Sequence, residues 1–235
     1  MNTTRDRRPR TRDAAIVRGH GGPSLWVIVA IAVLVLFAGG LGYGIYRAQN
    51  PTVGDAAAPA DGDTTGITVG RPTAKATIEI YLDFQCPACK AYEAQIGPQI
   101  EQFVASGQAK VIYRPVAFLN RFSSTQYSTR SSQASACAAN DGVFPQYLKL
   151  LYENQPPENA AGLPEERLIS LGEQAGAGSS FAACVRDDRY AGWTASVTDA
   201  ASKAGITSTP TVKVNGTEVV RSAAALTAAV RQTQR

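Results

Sequence analysis

Histidine and methionine are almost missing from this sequence, and that limits what it can do. The only histidine is His20 and the only methionine is Met1. A copper relay asks for Met and His ligands. Ser–His and Cys–His hydrolases ask for an imidazole beside the nucleophile. Beyond the N-terminal tail the chain offers neither. Charge is also sparse, at 18% of residues against 44% hydrophobic, a balance that points to a folded, globular class. The formal net charge of +4 would suggest nucleic-acid binding if it were spread over the fold. It is not. Residues 1–23 carry six arginines (Arg5, Arg7, Arg8, Arg10, Arg12, Arg18) against Asp6 and Asp13, so the remainder is neutral. The excess reads as a membrane-topology signal, and no nucleic-acid partner is expected.

Charge disappears altogether from Ser24 to Tyr46. That run is long enough to cross a hydrocarbon core, which takes about 20 residues. Trp26, Tyr43 and Tyr46 stand near its ends, where amphipathic rings favour the interface. The apolar run exceeds the roughly 7–15 residues of a signal-peptide core, and the nearest small-residue cleavage pattern, Ala58-Pro59-Ala60, lies far past its end. The expected organisation is a basic cytoplasmic tail (1–23), a transmembrane anchor (24–46), a flexible linker (47–65) rich in small and polar residues, and one extracytoplasmic domain (66–235).

Within the domain, Ala76 to Leu82 alternates with Ile78, Ile80 and Leu82 on one face and reads as a strand. A helix should begin at Cys86. Tyr92, Ile96, Ile100 and Phe103 give it a buried stripe, and Gly97-Pro98 should kink or split it. Val111 to Arg114 reads as the next strand. Residues from about 122 to 204 are rich in Ala, Gln, Glu and Leu and read as several helices. Asn215-Gly216, between Thr211–Val214 and Glu218–Val220, is a hairpin signal because both turn positions need positive φ. Ser222 is a plausible N-cap for a last helix over 223–232. Strand–helix–strand, helical block, hairpin–helix is the order of an α/β thioredoxin fold with a helical insertion.

All four cysteines lie beyond the apolar run. An even count in an oxidising compartment favours disulfides. Cys86 and Cys89 bracket Pro87 and Ala88 where a strand gives way to a helix. A thiolate there meets unpaired backbone N–H groups and the positive end of the helix dipole, which makes Cys86 the attacking sulfur. Cys89, one turn inside, is placed to resolve the mixed disulfide, and Pro87 suits a first turn that needs no N–H. A zinc site would need its other half from Cys137 and Cys184, which are far apart and form no second C-x-x-C. A purely structural Cys86–Cys89 bridge would close too short a loop to add much stability. Cys137 and Cys184 form the other pair. Joined, they would close a long loop within the helical block and add roughly 4 kcal/mol. The alternative is a second redox pair relaying electrons to Cys86.

The segment Asp83-Phe84-Gln85-Cys86-Pro87-Ala88-Cys89-Lys90 resembles the active site of DsbA-like disulfide oxidoreductases. Thr209-Pro210-Thr211 with Val212-Lys213-Val214-Asn215-Gly216 resembles their second signature. The resemblance covers about residues 67–232. With the anchor and the extra cysteine pair it is similar, more narrowly, to the membrane-anchored DsbA proteins of actinobacteria. It implies Cys86 as nucleophile, Cys89 as resolving cysteine, and Pro210 as a cis-proline whose loop lies on the dithiol. The Thr209 backbone would then pair with an extended substrate chain. Two departures stand out. Ala88 replaces the histidine of strongly oxidising enterobacterial members, removing one donor to the thiolate. Ile80 stands where related proteins often bury an acid that handles the resolving thiol's proton. Glu79 and Asp83 are the nearby carboxylates, and Asp83 is the expected substitute; its alternative role is to cap a turn or helix.

The resemblance implies a thiol oxidase for unfolded exported proteins, reoxidised by a quinone-linked membrane partner of the DsbB or vitamin-K-epoxide-reductase-like type. A monomer is expected and no cofactor is implied. Two other readings stay open: a reductase or isomerase of the same fold, for example in cytochrome c maturation, and a binding or chaperone module with structural cysteines.

Overall fold

The computed structural model describes residues 25–49 and 58–235. The two segments belong to separate compact units. The basic tail and residues 50–57 of the expected linker lie outside the described residues. The first unit contains helix α1 (Leu25–Gln49), which coincides with most of the apolar run. Its side chains are described through Val35 and at Phe37 and Gly39. Among the described residues, no helix is long and apolar enough to cross a membrane. The described residues therefore lend no support to the span expected at 24–46.

The second unit is built on a six-stranded sheet. Its strands are β1 (Gly62–Asp63), β2 (Gly66–Val69), β3 (Ala76–Leu82), β4 (Ala109–Pro115), β5 (Thr211–Val214) and β6 (Thr217–Glu218), in the spatial order β1-β2-β4-β3-β5-β6. Only β3 and β4 run parallel. They are joined through helix α2 (Pro87–Ala105), as a parallel pair requires a crossover. The sheet begins earlier than the sequence indicates. Ala58 packs on the core and the Trp193 indole N–H donates to the Asp63 carbonyl at 2.8 Å, so the last residues of the expected linker belong to the domain.

β3 alternates as its sequence does, with Ala76, Ile78, Ile80 and Leu82 buried. Glu79, on the opposite face, pairs with Arg114 of β4 at 2.8 Å. Helix α2 differs from expectation. It runs unbroken through Gly97-Pro98. Proline there removes one backbone bond, a cost of about 3 kcal/mol in a helix interior. Tyr92, Ile96, Ile100 and Phe103 are all buried in the core, and their burial, at roughly 1.5–3 kcal/mol each, outweighs it.

Between β4 and β5 lie α3 (Tyr127–Asn140), α4 (Phe144–Glu153), α5 (Glu165–Ala175), α6 (Phe181–Arg186) and α7 (Ala191–Lys203). They form the helical insertion. α3 is its axis: it is short of large apolar residues but buried along most of its length. Three of its serines donate to main-chain carbonyls, as Ser132 does to that of Pro115 at 2.8 Å. Cys137 of α3 is bonded to Cys184 of α6, 47 residues on. At the C-terminal edge Asn215 and Gly216 both adopt positive φ, 47° and 81°. Ser222 then caps α8 (Ala223–Gln232) by accepting from the Ala225 N–H.

The Cys137–Cys184 bond restrains a long loop of the unfolded chain. Replacing both cysteines by serine should therefore lower unfolding free energy by about 4 kcal/mol. Urea denaturation checks this, and thiol exchange by the folded fraction at Cys86 should persist.

Candidate active site

The turn from β3 into α2 places two thiols on one helical turn. Cys86 is the N-cap of α2, in extended conformation (φ −79°, ψ 115°), with Pro87 beginning the helix. Its carbonyl accepts the first helical bonds, from the N–H groups of Cys89 at 3.1 Å and Lys90 at 3.2 Å. Its side chain points back over the helix start, and Sγ lies 3.5 Å from the carbonyl oxygen of Thr209. The Thr209–Pro210 peptide is cis. Thus residues separated by more than a hundred positions in sequence meet at one sulfur. Both thiols are unbridged and largely buried.

Their acidities are pushed apart. The Cys86 thiol is pulled down to about 6. The main cause is the hydrogen bond from the Cys89 thiol. Burial opposes the shift, while the Thr209 side chain and the backbone N–H groups of Cys89 and Ala88 add to it. Burial, and then the neighbouring Cys86, push Cys89 far up. One sulfur is poised as a thiolate nucleophile, and the other stays a protonated donor until it is needed. The Ala88 side chain gives nothing to the thiolate, but its backbone N–H does.

Asp83 is completely buried behind this turn. Its carboxylate accepts from the N–H of Gln85 at 2.9 Å and from that of Leu119 at 2.9 Å. It thus performs the turn-capping role. Burial also lifts its pKa to about 6, despite these bonds. The carboxyl can therefore gain or lose a proton near neutral pH close to Cys86, whose charge contributes to the lift. Glu79 is committed to Arg114 on the far face of β3. Ile80 is apolar and buried.

Sequence reasoning passed over the groups that surround the turn from other elements. Tyr152, near the end of α4, and Gln155, just past it, donate to the carbonyls of Asp83, Phe84 and Cys86. Glu93, one turn beyond Cys89, faces a cavity of about 300 Å³ shared with Tyr113, Leu148 and Tyr152. Burial, and then Glu101, lift its pKa to about 7. No motif marks these residues; they are functional candidates only because the fold brings them there. Among the described residues no cluster of His, Cys, Asp and Glu could hold a metal ion.

A family model described as thioredoxin matches residues 63–232. The chain belongs to the thioredoxin family. Within it, this chain is similar to the DsbA- and DsbG-type thiol–disulfide oxidoreductases of actinobacteria. The disulfide oxidoreductase DsbG from Mycobacterium tuberculosis is 31% identical, with a TM-score of 0.63 over 78% of this chain and 89% of that one. DsbA from the same organism is 30% identical, with a TM-score of 0.63 over 77% of this chain and 92% of that one. BdbD from Bacillus subtilis, at 20% identity, shares the fold, with a TM-score of 0.64 over 76% of this chain and 98% of that one. A 128-residue stretch is 31% identical to part of the serine/threonine-protein kinase PknE of M. tuberculosis, 52% of this chain but only 23% of the kinase. The chain thus spans under a quarter of the curated relatives it matches. This family and these similar structures support an oxidoreductase activity.

Two outcomes follow for the thioredoxin-fold domain. In the reduced protein the lowered pKa of Cys86 stabilises the fold relative to Cys86→Ser. That margin is full above the unfolded thiol's value of about 9 and shrinks as pH falls, vanishing below about 6. Thermal unfolding of both proteins across that range measures it. Asp83→Ala leaves two backbone N–H groups without their acceptor and should cost about 2–4 kcal/mol, read by chemical denaturation.

Proposed function

We propose that this protein is a membrane-anchored, extracytoplasmic thiol–disulfide oxidoreductase working in the oxidising direction on unfolded exported proteins. The observation that carries the reading is the unbridged Cys86–Cys89 pair at the start of α2, with Cys86 as N-cap and its Sγ 3.5 Å from the Thr209 carbonyl, where the Cys89 thiol and backbone N–H groups favour the Cys86 thiolate. Stabilising the thiolate stabilises the reduced dithiol, so its disulfide form accepts electrons more readily.

In the cycle, a substrate thiolate attacks Sγ of Cys86 in the Cys86–Cys89 disulfide. A mixed disulfide forms and Cys89 leaves as a thiolate, which takes up a proton. Asp83 is the group proposed to supply it. A second substrate thiolate then attacks the substrate sulfur of the mixed disulfide and displaces Cys86 as its stabilised thiolate. The substrate has lost two electrons and the enzyme has gained them. The Thr209 backbone, beside Cys86, would hold the substrate in extended form. The reverse electron flow passes through the same mixed disulfide, with Cys89 as the resolving attacker.

Reoxidation of the dithiol is assigned to a quinone-linked membrane partner of the DsbB or vitamin-K-epoxide-reductase-like type. Anchoring rests on the uncharged run 24–46 and the arginines that precede it, which would put the N-terminus inside and the domain outside. A monomer is proposed.

The reduction potential of the Cys86–Cys89 couple tests the direction. A value near −120 mV supports the oxidase, and a value near −270 mV transfers the assignment to a reductase. Cys86→Ser should abolish thiol exchange; retained activity would remove Cys86 from the nucleophile's role.

A further inference from the structure

The backbone that leads into the dithiol is gripped from the helical insertion. Tyr152, near the end of α4, donates its hydroxyl to the Asp83 carbonyl at 3.4 Å, and its ring packs on Phe84 with centroids 5.4 Å apart. Two residues past α4, the Gln155 side-chain amide donates to the Phe84 carbonyl at 2.8 Å and to the Cys86 carbonyl at 3.0 Å. An amide nitrogen carries two hydrogens, so each carbonyl receives one. Phe84 is fully buried, where a carbonyl without a donor would be costly. Gln155 is itself anchored: its N–H donates to the Tyr152 carbonyl at 3.2 Å, and its neighbour Asn154 accepts from Arg167 of α5 at 2.7 Å.

We propose that Gln155 is a positioning residue for the redox cysteine: it ties the Phe84 and Cys86 carbonyls to one amide and so fixes the backbone on both sides of Gln85–Cys86. The consequence is directional. The Cys86 thiolate is stabilised by groups placed around it, namely the Cys89 thiol, the Thr209 side chain and two N–H groups of the first helical turn. These act only if the Cys86 Cα–Cβ bond points at them. Pro87 fixes its own φ but leaves the rotation before Cys86 to be set by other contacts. Gln155 sets it from outside the helix, and makes the insertion part of the redox centre without touching either sulfur. This rests on the reading of Cys86 as the nucleophile.

The experiment is a pH titration of thiolate absorbance in the reduced full-length chain. It compares wild type, Gln155→Met, Arg167→Met and Cys86→Ser. Methionine matches glutamine in length but donates no hydrogen bond. Gln155→Met should move the thiolate midpoint up by about one unit, cutting the thiolate fraction at pH 6 about fivefold. The rate of alkylation should fall in step. Arg167→Met loosens the same segment without removing a donor from the turn. It should lower stability and leave the midpoint in place. An unchanged midpoint in folded Gln155→Met overturns the proposal, as does an equal shift in Arg167→Met. If Gln155→Met does not fold, Gln155→Asn, polar but too short to reach both carbonyls, is held to the same criterion. A titration step that survives in Cys86→Ser would count instead against Cys86 as the nucleophile.

Discussion

A charged sulfur has to be kept at the point where a strand becomes a helix, with little water to solvate it. Everything near Cys86 serves that constraint. Burial alone would raise its pKa, as it does for Cys89 three residues away. The difference between the two is one of placement. Cys86 caps the helix and sees donors; Cys89 lies inside the first turn and is one of them. The same two residue types at the same spacing in mid-helix would have no unpaired N–H groups to use. The strand before the motif and the loop bearing Thr209 are thus as much a part of the chemistry as the cysteines.

This explains the architecture around the pair. The parallel β3–β4 arrangement forces a crossover helix and puts its N-terminus at the C-terminal edge of the sheet. β5, antiparallel to β3 with Ile80 opposite Val212 and Tyr81 opposite Thr211, delivers Thr209 to the same edge. The helical insertion closes the opposite side. Its long axis, α3, is bound to α6 by Cys137–Cys184, and α4 and the residues just past it present Tyr152 and Gln155 to the turn. An active site of two sulfurs thereby draws on the sheet, the crossover helix and the insertion together.

Much of this was legible in the sequence because local patterns and tertiary demands agree. The alternation in Ala76–Leu82 is the burial pattern of β3. Asn215-Gly216 marks its turn by the only conformation that turn allows, and Ser222 caps the helix it precedes. Where local and tertiary preferences conflict, tertiary packing prevails. Pro98 should break α2, and four buried side chains keep it whole. Residues near Gly62–Thr65 look like linker, yet a pairing with β2 and the Trp193 indole bring them into the domain. Asp83 was identifiable as a nearby carboxylate but not as fully buried, because burial there depends on Leu119 and on Tyr152 of α4. Gln155 carried no signal at all: a single amide acquires meaning only from the two carbonyls the fold brings to it.

The replacement of histidine by Ala88 suggests a weakened thiolate. The donors present temper that expectation, since a backbone N–H at position 88 is supplied by any residue but proline. The magnitude of the effect is nonetheless bounded. With Cys86 near 6, a site at pH 7 is about ten-elevenths ionised. The reduced state is then stabilised by about 1.4 kcal/mol relative to a thiol that does not ionise, equivalent to roughly 30 mV in a two-electron couple. The gap between a thioredoxin-like and a DsbA-like potential is about 150 mV. The thiolate alone therefore covers only a fifth or so of that distance. If the protein oxidises its substrates, most of its oxidising power has to come from the relative stability of the two redox forms of the surrounding fold, where the turn held between Asp83, Gln155 and Thr209 must accommodate both a pair of thiols and a bond between them.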